Sequence, residues 1–172
     1  ARDAAALVAA RSLDLGLGCV CGRAENAAHS ESEWRLARWT FLNDVASRLD
    51  ATVVTAHTLD DQIETVFIRA LRGAGPRGLA GLFADSPVAR PLIETTRAEI
   101  QLYAQGDGTP FVTDPSNVDR RHLRNRVRLD ILPALDRASP GFSVSLLEVA
   151  EKAASWRARM EAVALTFHMM SD

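Results

Sequence analysis

The chain has 172 residues, room for one domain of ordinary size or for one domain with a helical appendage. It is 47% hydrophobic and 24% charged. It has no apolar window approaching the ~18 residues of a membrane helix and no signal-peptide pattern at its start, so a cytoplasmic protein with no membrane role is expected. A formal net charge of -2 excludes a generally basic nucleic-acid binder, although Lys152 is the only lysine and the other fixed cations are arginines, the forked donors suited to phosphate.

In chain order, Ala1 to Arg11 has helical propensity, Gly16 and Gly18 close it, and Leu17 to Cys21 reads as a strand. Cys19 and Cys21 lack the two-residue spacer of a redox or zinc pair and read as reduced thiols. Gly22 to Ser32 is a small, polar loop. From about Ser32, Trp34, Leu36, Trp39, Phe41, Leu42, Val45 and Leu49 follow helical spacing and predict a helix packed on a sheet. The run ATVVTA, Ala51 to Ala56, is a short buried strand by its length and β-branching. A helix follows it, because Thr58 can cap its first turn with Asp61 three residues on, and Val66, Phe67 and Ala70 continue it.

This strand-to-helix junction concentrates the chemistry. His57, Asp61 and Glu64 succeed one another at helical spacing, and Asp60 adjoins them. Three roles fit such a cluster: Mg²⁺ binding through Asp61, pairing with a cationic amine, or acid/base work by the histidine. Arg72 to Leu82 then sets Gly73, Gly75 and Gly78 among Arg72, Pro76 and Arg77, so that backbone can approach an anion beside forked donors.

Val88 to Ile93 reads as a strand and Glu94 to Ala104 as a helix capped near Thr95 or Thr96. Gly106 to Asn117 is a loop in which Phe111 and Val112 form a brief strand. In RRHLRNRVR, residues 120 to 128, Arg121, Arg124, Asn125 and Arg128 would share one helix face as an anion-binding stripe. Gly141 to Met170 is an amphipathic helix.

AHTLDDQIETVFIRALRGAGPRGLAGL, Ala56 to Leu82, resembles the HxxDDQxET...RxxRGxGxxGLxG signature of the tRNA(Ile)-lysidine synthetases. The similarity continues through RPLIETTRAEI, TDPSN and RNRVRLDILPAL in that family's order, over about residues 11 to 140. The resemblance implies a doubly wound parallel α/β sheet of the Rossmann-like, ATP pyrophosphatase type in residues 1–138, with a helical extension or linker in 139–172. It also implies ATP-dependent adenylation of carbon 2 of the wobble cytidine in a tRNA(Ile) with a CAU anticodon, followed by attack of free lysine's side-chain amine to give lysidine. ATP and Mg²⁺ are then the expected cofactors, and a homodimer is compatible with the family.

Carried over by matching position, His57, Asp61 and Glu64 would meet the adenylate and the amino acid. Arg72, Gly73, Gly75, Arg77 and Gly78, with Asp60, would face nucleotide or tRNA, and Asn125 with Arg124, Arg126 or Arg128 would stabilise the activated intermediate. The family's phosphate loop, SGGxDS, is not in the sequence, which suggests a piece of a longer protein with a junction near Ala10 and Arg11. Two alternatives keep part of this reading: a tRNA-thiolating enzyme working through the same intermediate, or a noncatalytic tRNA- or nucleotide-binding module.

Overall fold

A computed structural model describes residues 2–23 and 31–169; residues 24–30 of the expected loop and the predicted end of the last helix at Met170 lie outside them. Eight α-helices order the described chain: α1 (Arg2–Asp14), α2 (Glu31–Leu49), α3 (Leu59–Leu71), α4 (Pro76–Leu79), α5 (Arg97–Gly106), α6 (Leu123–Arg126), α7 (Leu132–Ala138) and α8 (Phe142–Met169). None of the described helices is long and apolar enough to cross a membrane.

The start of α3 follows from its sequence. Thr58 Oγ1 accepts from the Asp61 backbone N–H at 3.3 Å, and Asp61 Oδ2 accepts from the Thr58 N–H at 2.9 Å, a reciprocal capping box. The helix stops where Gly73 takes a φ of 71°, which lets Gly73 and Ala74 N–H groups reach back to the carbonyls of Ala70 and Arg69. α5 starts the same way, with Thr96, one of the two expected caps, and Glu99 completing the box, so the helix begins at Arg97, three residues after the expected start at Glu94.

α3 is the centre of the packing. Phe67 joins buried Val127 and Leu132, flanked by Ile63, Leu123, Ile131, Leu135, Phe142 and Leu146. The Phe67 and Phe142 rings meet edge to face at 6.2 Å. α8 lies against α3, α4 and the 3₁₀ turn Gly81–Phe83, where Ala80, Ala150 and Ala153 are small enough for close approach.

The predicted strands are the main correction. Among the described residues the only ladder contact is a parallel bridge between Val54 and Ala89, closed by Thr55 N–H to Ala89 O and Ala89 N–H to Val53 O, each at 3.0 Å. Leu17 to Cys21 and Phe111–Val112 pair with nothing, and Val20 and Val54 are exposed. An apolar run becomes a strand only when a partner edge satisfies its N–H and C=O groups, a condition that composition does not report. Among the described residues the second helix has no sheet to pack on: Trp34, Leu36 and Leu49 are exposed, while Trp39, Phe41, Leu42 and Val45 are half-buried.

Candidate active site

Three segments distant in sequence converge on the first turns of α3. Glu64, whose side chain is 2% exposed, receives Arg124 Nε on Oε2 and Arg128 Nε on Oε1, both at 2.6 Å, and Arg97 Nη2 lies 3.5 Å away. Asp61 Oδ1 receives Arg124 Nη2 at 3.2 Å and Arg97 Nη2 at 3.3 Å. Two carboxylates thus face three guanidinium groups, a clamp that joins α3 to α5 and α6. Asp60 accepts the Arg97 backbone N–H at 2.7 Å, placing its negative charge at the N-terminus of α5.

The electrostatics follow from these contacts. Burial alone would raise the Asp61 pKa, but the Thr58 N–H and hydroxyl together with Arg124 and Arg97 hold it below the ordinary 3.8. Burial pushes His57 below its usual 6.5; Asp61 opposes that shift, while Arg90, Arg124 and Arg35 reinforce it. The ring is therefore neutral at neutral pH, and its Nδ1 shares a 2.8 Å hydrogen bond with the Thr55 hydroxyl.

The structure brings His57, Asp61, Glu64, Arg124 and Arg128 together and separates several other predicted residues from them. Asn125 is buried, but its amide donates to Ser116 O at 2.8 Å and Asp119 O at 2.9 Å, so it holds the loop before α6 and does not face the carboxylates. Arg121 pairs with Asp119 at 2.6 Å and Arg126 is exposed. The predicted single stripe breaks because the helix begins only at Leu123 and because a π-turn at Val127–Ile131 changes the phase beyond it. Arg72 closes α3 as its C-cap, and Arg77 reaches Glu161 of α8 at 3.6 Å.

Gln62 and Arg69, which are not among the expected site residues, hold the glycine loop. Gln62 is fully buried; its Nε2 donates to Ala80 O at 2.9 Å and its Oε1 accepts from Leu82 N–H at 2.5 Å. Between those two residues Gly81 sits at a φ of 60°, and a Cβ there would come within 2.5 Å of Gln62 Oε1. Arg69 Nη1 donates to Gly78 O at 2.7 Å. One face of α3 therefore fixes the glycine loop; the seven-residue spacing of Gln62 and Arg69 is a signal in the sequence, since it sets two polar side chains on one face of the helix.

The clamp does not suit a divalent cation. Asp61 and Glu64 already meet guanidinium groups and a helix cap, and no cluster of three or more His, Cys, Asp or Glu among the described residues is arranged for a metal ion. No step is therefore assigned to Mg²⁺ held by Asp61.

The chain belongs to the PP-loop domain family, which matches residues 1–135. Within that class it is similar to the tRNA(Ile)-lysidine synthases: 40% identical over 81% of this chain to that of Geobacter sulfurreducens, and 39% identical over 80% of this chain to that of Salinispora arenicola. It spans 31% and 43% of those two proteins respectively. Its fold is similar to that of the U34-tRNA thiolase NcsA from Methanococcus maripaludis, solved with its [4Fe-4S] cluster, with a TM-score of 0.68 and 16% identity, covering 90% of this chain and 57% of that one.

Proposed function

We propose that this chain forms part of the catalytic core of an enzyme that uses ATP to adenylate the wobble cytidine of tRNA(Ile) with a CAU anticodon and then joins lysine to carbon 2, giving lysidine. The observation that carries this reading is the meeting of His57, Asp61 and Glu64 with Arg97, Arg124 and Arg128, from blocks that the lysidine-synthase resemblance also groups. Similarity to several tRNA(Ile)-lysidine synthases supports the same class of reaction. The parallel bridge between Val54 and Ala89 is compatible with a doubly wound parallel sheet in the whole protein.

In this scheme the oxygen on carbon 2 takes the adenylyl group and pyrophosphate leaves. The lysine side-chain amine then bonds to carbon 2, loses a proton, and AMP departs with that oxygen. Asp61 is the carboxylate fitted to orient the incoming ammonium, because its side chain keeps 17% exposure while that of Glu64 keeps 2%. Its depressed pKa makes it a strong ion partner and a poor base. Neutral His57, within Coulombic reach of Asp61, has the better pKa for taking the amine's proton. Glu64 serves by fixing Arg124 and Arg128, whose guanidinium groups can face negative charge on the adenylate.

A chimera tests the proposal: residues of this chain replace the matching segment of the Geobacter sulfurreducens synthase, and transfer of labelled lysine to a CAU-anticodon transcript is measured. The expected result is lysine transfer by the parent chimera and none by its Asp61→Asn form, which still binds the transcript. A folded chimera that binds tRNA without transferring lysine would instead favour the binding-module reading, and sulfur incorporation would favour thiolation.

A further inference from the structure

Away from the carboxylate clamp, the segment that follows α1 carries the only two cysteines of the chain, Cys19 and Cys21, and no step of the proposed reaction uses them. Residues two apart in an extended segment point to the same side, and here both thiols are exposed with their sulfurs 3.8 Å apart, one donating a hydrogen bond to the other. We propose that Cys19 and Cys21 form an exchange-active dithiol, a modification site that small-molecule disulfides oxidise reversibly to a bond between the two sulfurs.

The backbone favours closure. An extended chain rises about 3.3 Å per residue, so Cα atoms two residues apart stand about 6.6 Å from each other, inside the range of roughly 4.4–6.8 Å that disulfides span. The sulfurs have about 1.8 Å to travel before they reach a bond of about 2.0 Å. Among the described residues no ladder pairing resists that movement, and Gly18 supplies a hinge on the α1 side. The other side is held: Gly22 lies so close to Phe41 of α2 that a Cβ there would come within 2.6 Å of the ring. Cys21 is therefore kept beside α2 while Cys19 swings toward it. Val20, between them, is 61% exposed, so closing displaces no core side chain.

The two thiols also act in order. The hydrogen bond to Cys19, and then the charge of Cys19, raise the pKa of Cys21 above its ordinary 9.0, so Cys21 keeps its proton while Cys19 is the thiolate. The Cys19 thiolate attacks one sulfur of the oxidant, forms a mixed disulfide and releases the other half as a thiolate. That bond removes the charge on Cys19. Cys21 then gives its proton to solvent, and its sulfur attacks Cys19 Sγ, closing the ring and expelling the second half. Two electrons have passed from the pair to the disulfide, which leaves as two thiols. Excess thiol reverses both steps, and exposed disulfides are the labile ones in such exchange.

The 172-residue chain, kept free of oxygen and with a metal chelator present, is equilibrated with glutathione at graded ratios of disulfide to thiol, quenched in acid and weighed intact by mass spectrometry. The expected product is a monomer lighter by two hydrogens, blocked to iodoacetamide and restored by excess reduced glutathione. A second thiol tethered nearby has an effective concentration in the millimolar range, so at about 0.1 mM glutathione the ring should outcompete the mixed disulfide about tenfold. Cys19→Ser and Cys21→Ser, near-isosteric changes at exposed positions, cannot close the ring and should stop at one glutathione adduct, about tenfold more of it than the parent carries at the same ratio. A parent chain that keeps stable adducts, links into dimers or shows no change of mass at any ratio would overturn the assignment, and so would serine variants that take up no glutathione. A gain of metal mass when the chelator is left out, with no lighter monomer when it is present, would make the pair a chelating site and overturn the exchange as well.

Discussion

Replacing Glu64 with glutamine separates a structural carboxylate from one held ready for substrate. The substitution keeps the shape of the side chain and removes one negative charge from a position 2% exposed, leaving Arg124, Arg128 and Arg97 with Asp61 as their remaining anion. Breaking a buried ion pair from one side costs about 3–5 kcal/mol. The arginine side chains retain 32%, 23% and 29% exposure, so water screens part of the excess charge and the low end, about 3 kcal/mol, applies. With a urea m-value of about 2 kcal/mol/M for a domain of this size, the midpoint should fall by about 1.5 M. Equilibrium urea unfolding followed by circular dichroism reads this directly. A Glu64→Gln protein within about 1 kcal/mol of the parent would refute the clamp, because a carboxylate held against its neighbours for substrate relieves strain when it is neutralised.

Gly81→Ala should cost about 2–4 kcal/mol in the same unfolding experiment, since it forces a side chain into the left-handed region and into Gln62 Oε1; a loss below about 1 kcal/mol would mean that the loop gives way freely. Acidification should destabilise the fold in two stages. His57 has a folded pKa below 6.5, so its neutral form's contribution is complete above that value and is lost as pH falls toward the folded pKa. Asp61, depressed below 3.8, contributes above its unfolded pKa and loses that contribution as pH falls through its folded one. The urea midpoint should therefore drop first below about pH 6.5, and His57→Gln should remove that first stage; a midpoint that rises on mild acidification would contradict the burial of a neutral ring.

The helical half of this fold is written locally, and the rest is not. Thr58 and Asp61 announce the start of α3 because a capping box is satisfied within four residues, and Thr96 with Glu99 does the same for α5. A strand has no such local signature: ATVVTA and a strand in a sheet look alike, and only the pairing of Val54 with Ala89 decides what is formed. At the site, spacing brought His57, Asp61 and Glu64 to one end of a helix. It could not show that Arg97 and Arg124 arrive from more than thirty residues away to engage them. Asn125 stands apart from the expected stripe because its amide suits an anion and a loop carbonyl equally well, and it donates to the carbonyls of Ser116 and Asp119.

The position of α8 bears on how the chain folds as it is made. Phe142, Leu146, Ala150 and Ala153 belong to the interior around α3 and Ala80, although they are synthesised long after the residues they cover. Until they emerge from the ribosome, the apolar side of α3 and the glycine turn stand open. A ribosome stalled before Phe142 would hold a chain with its capping boxes formed and its centre still wet.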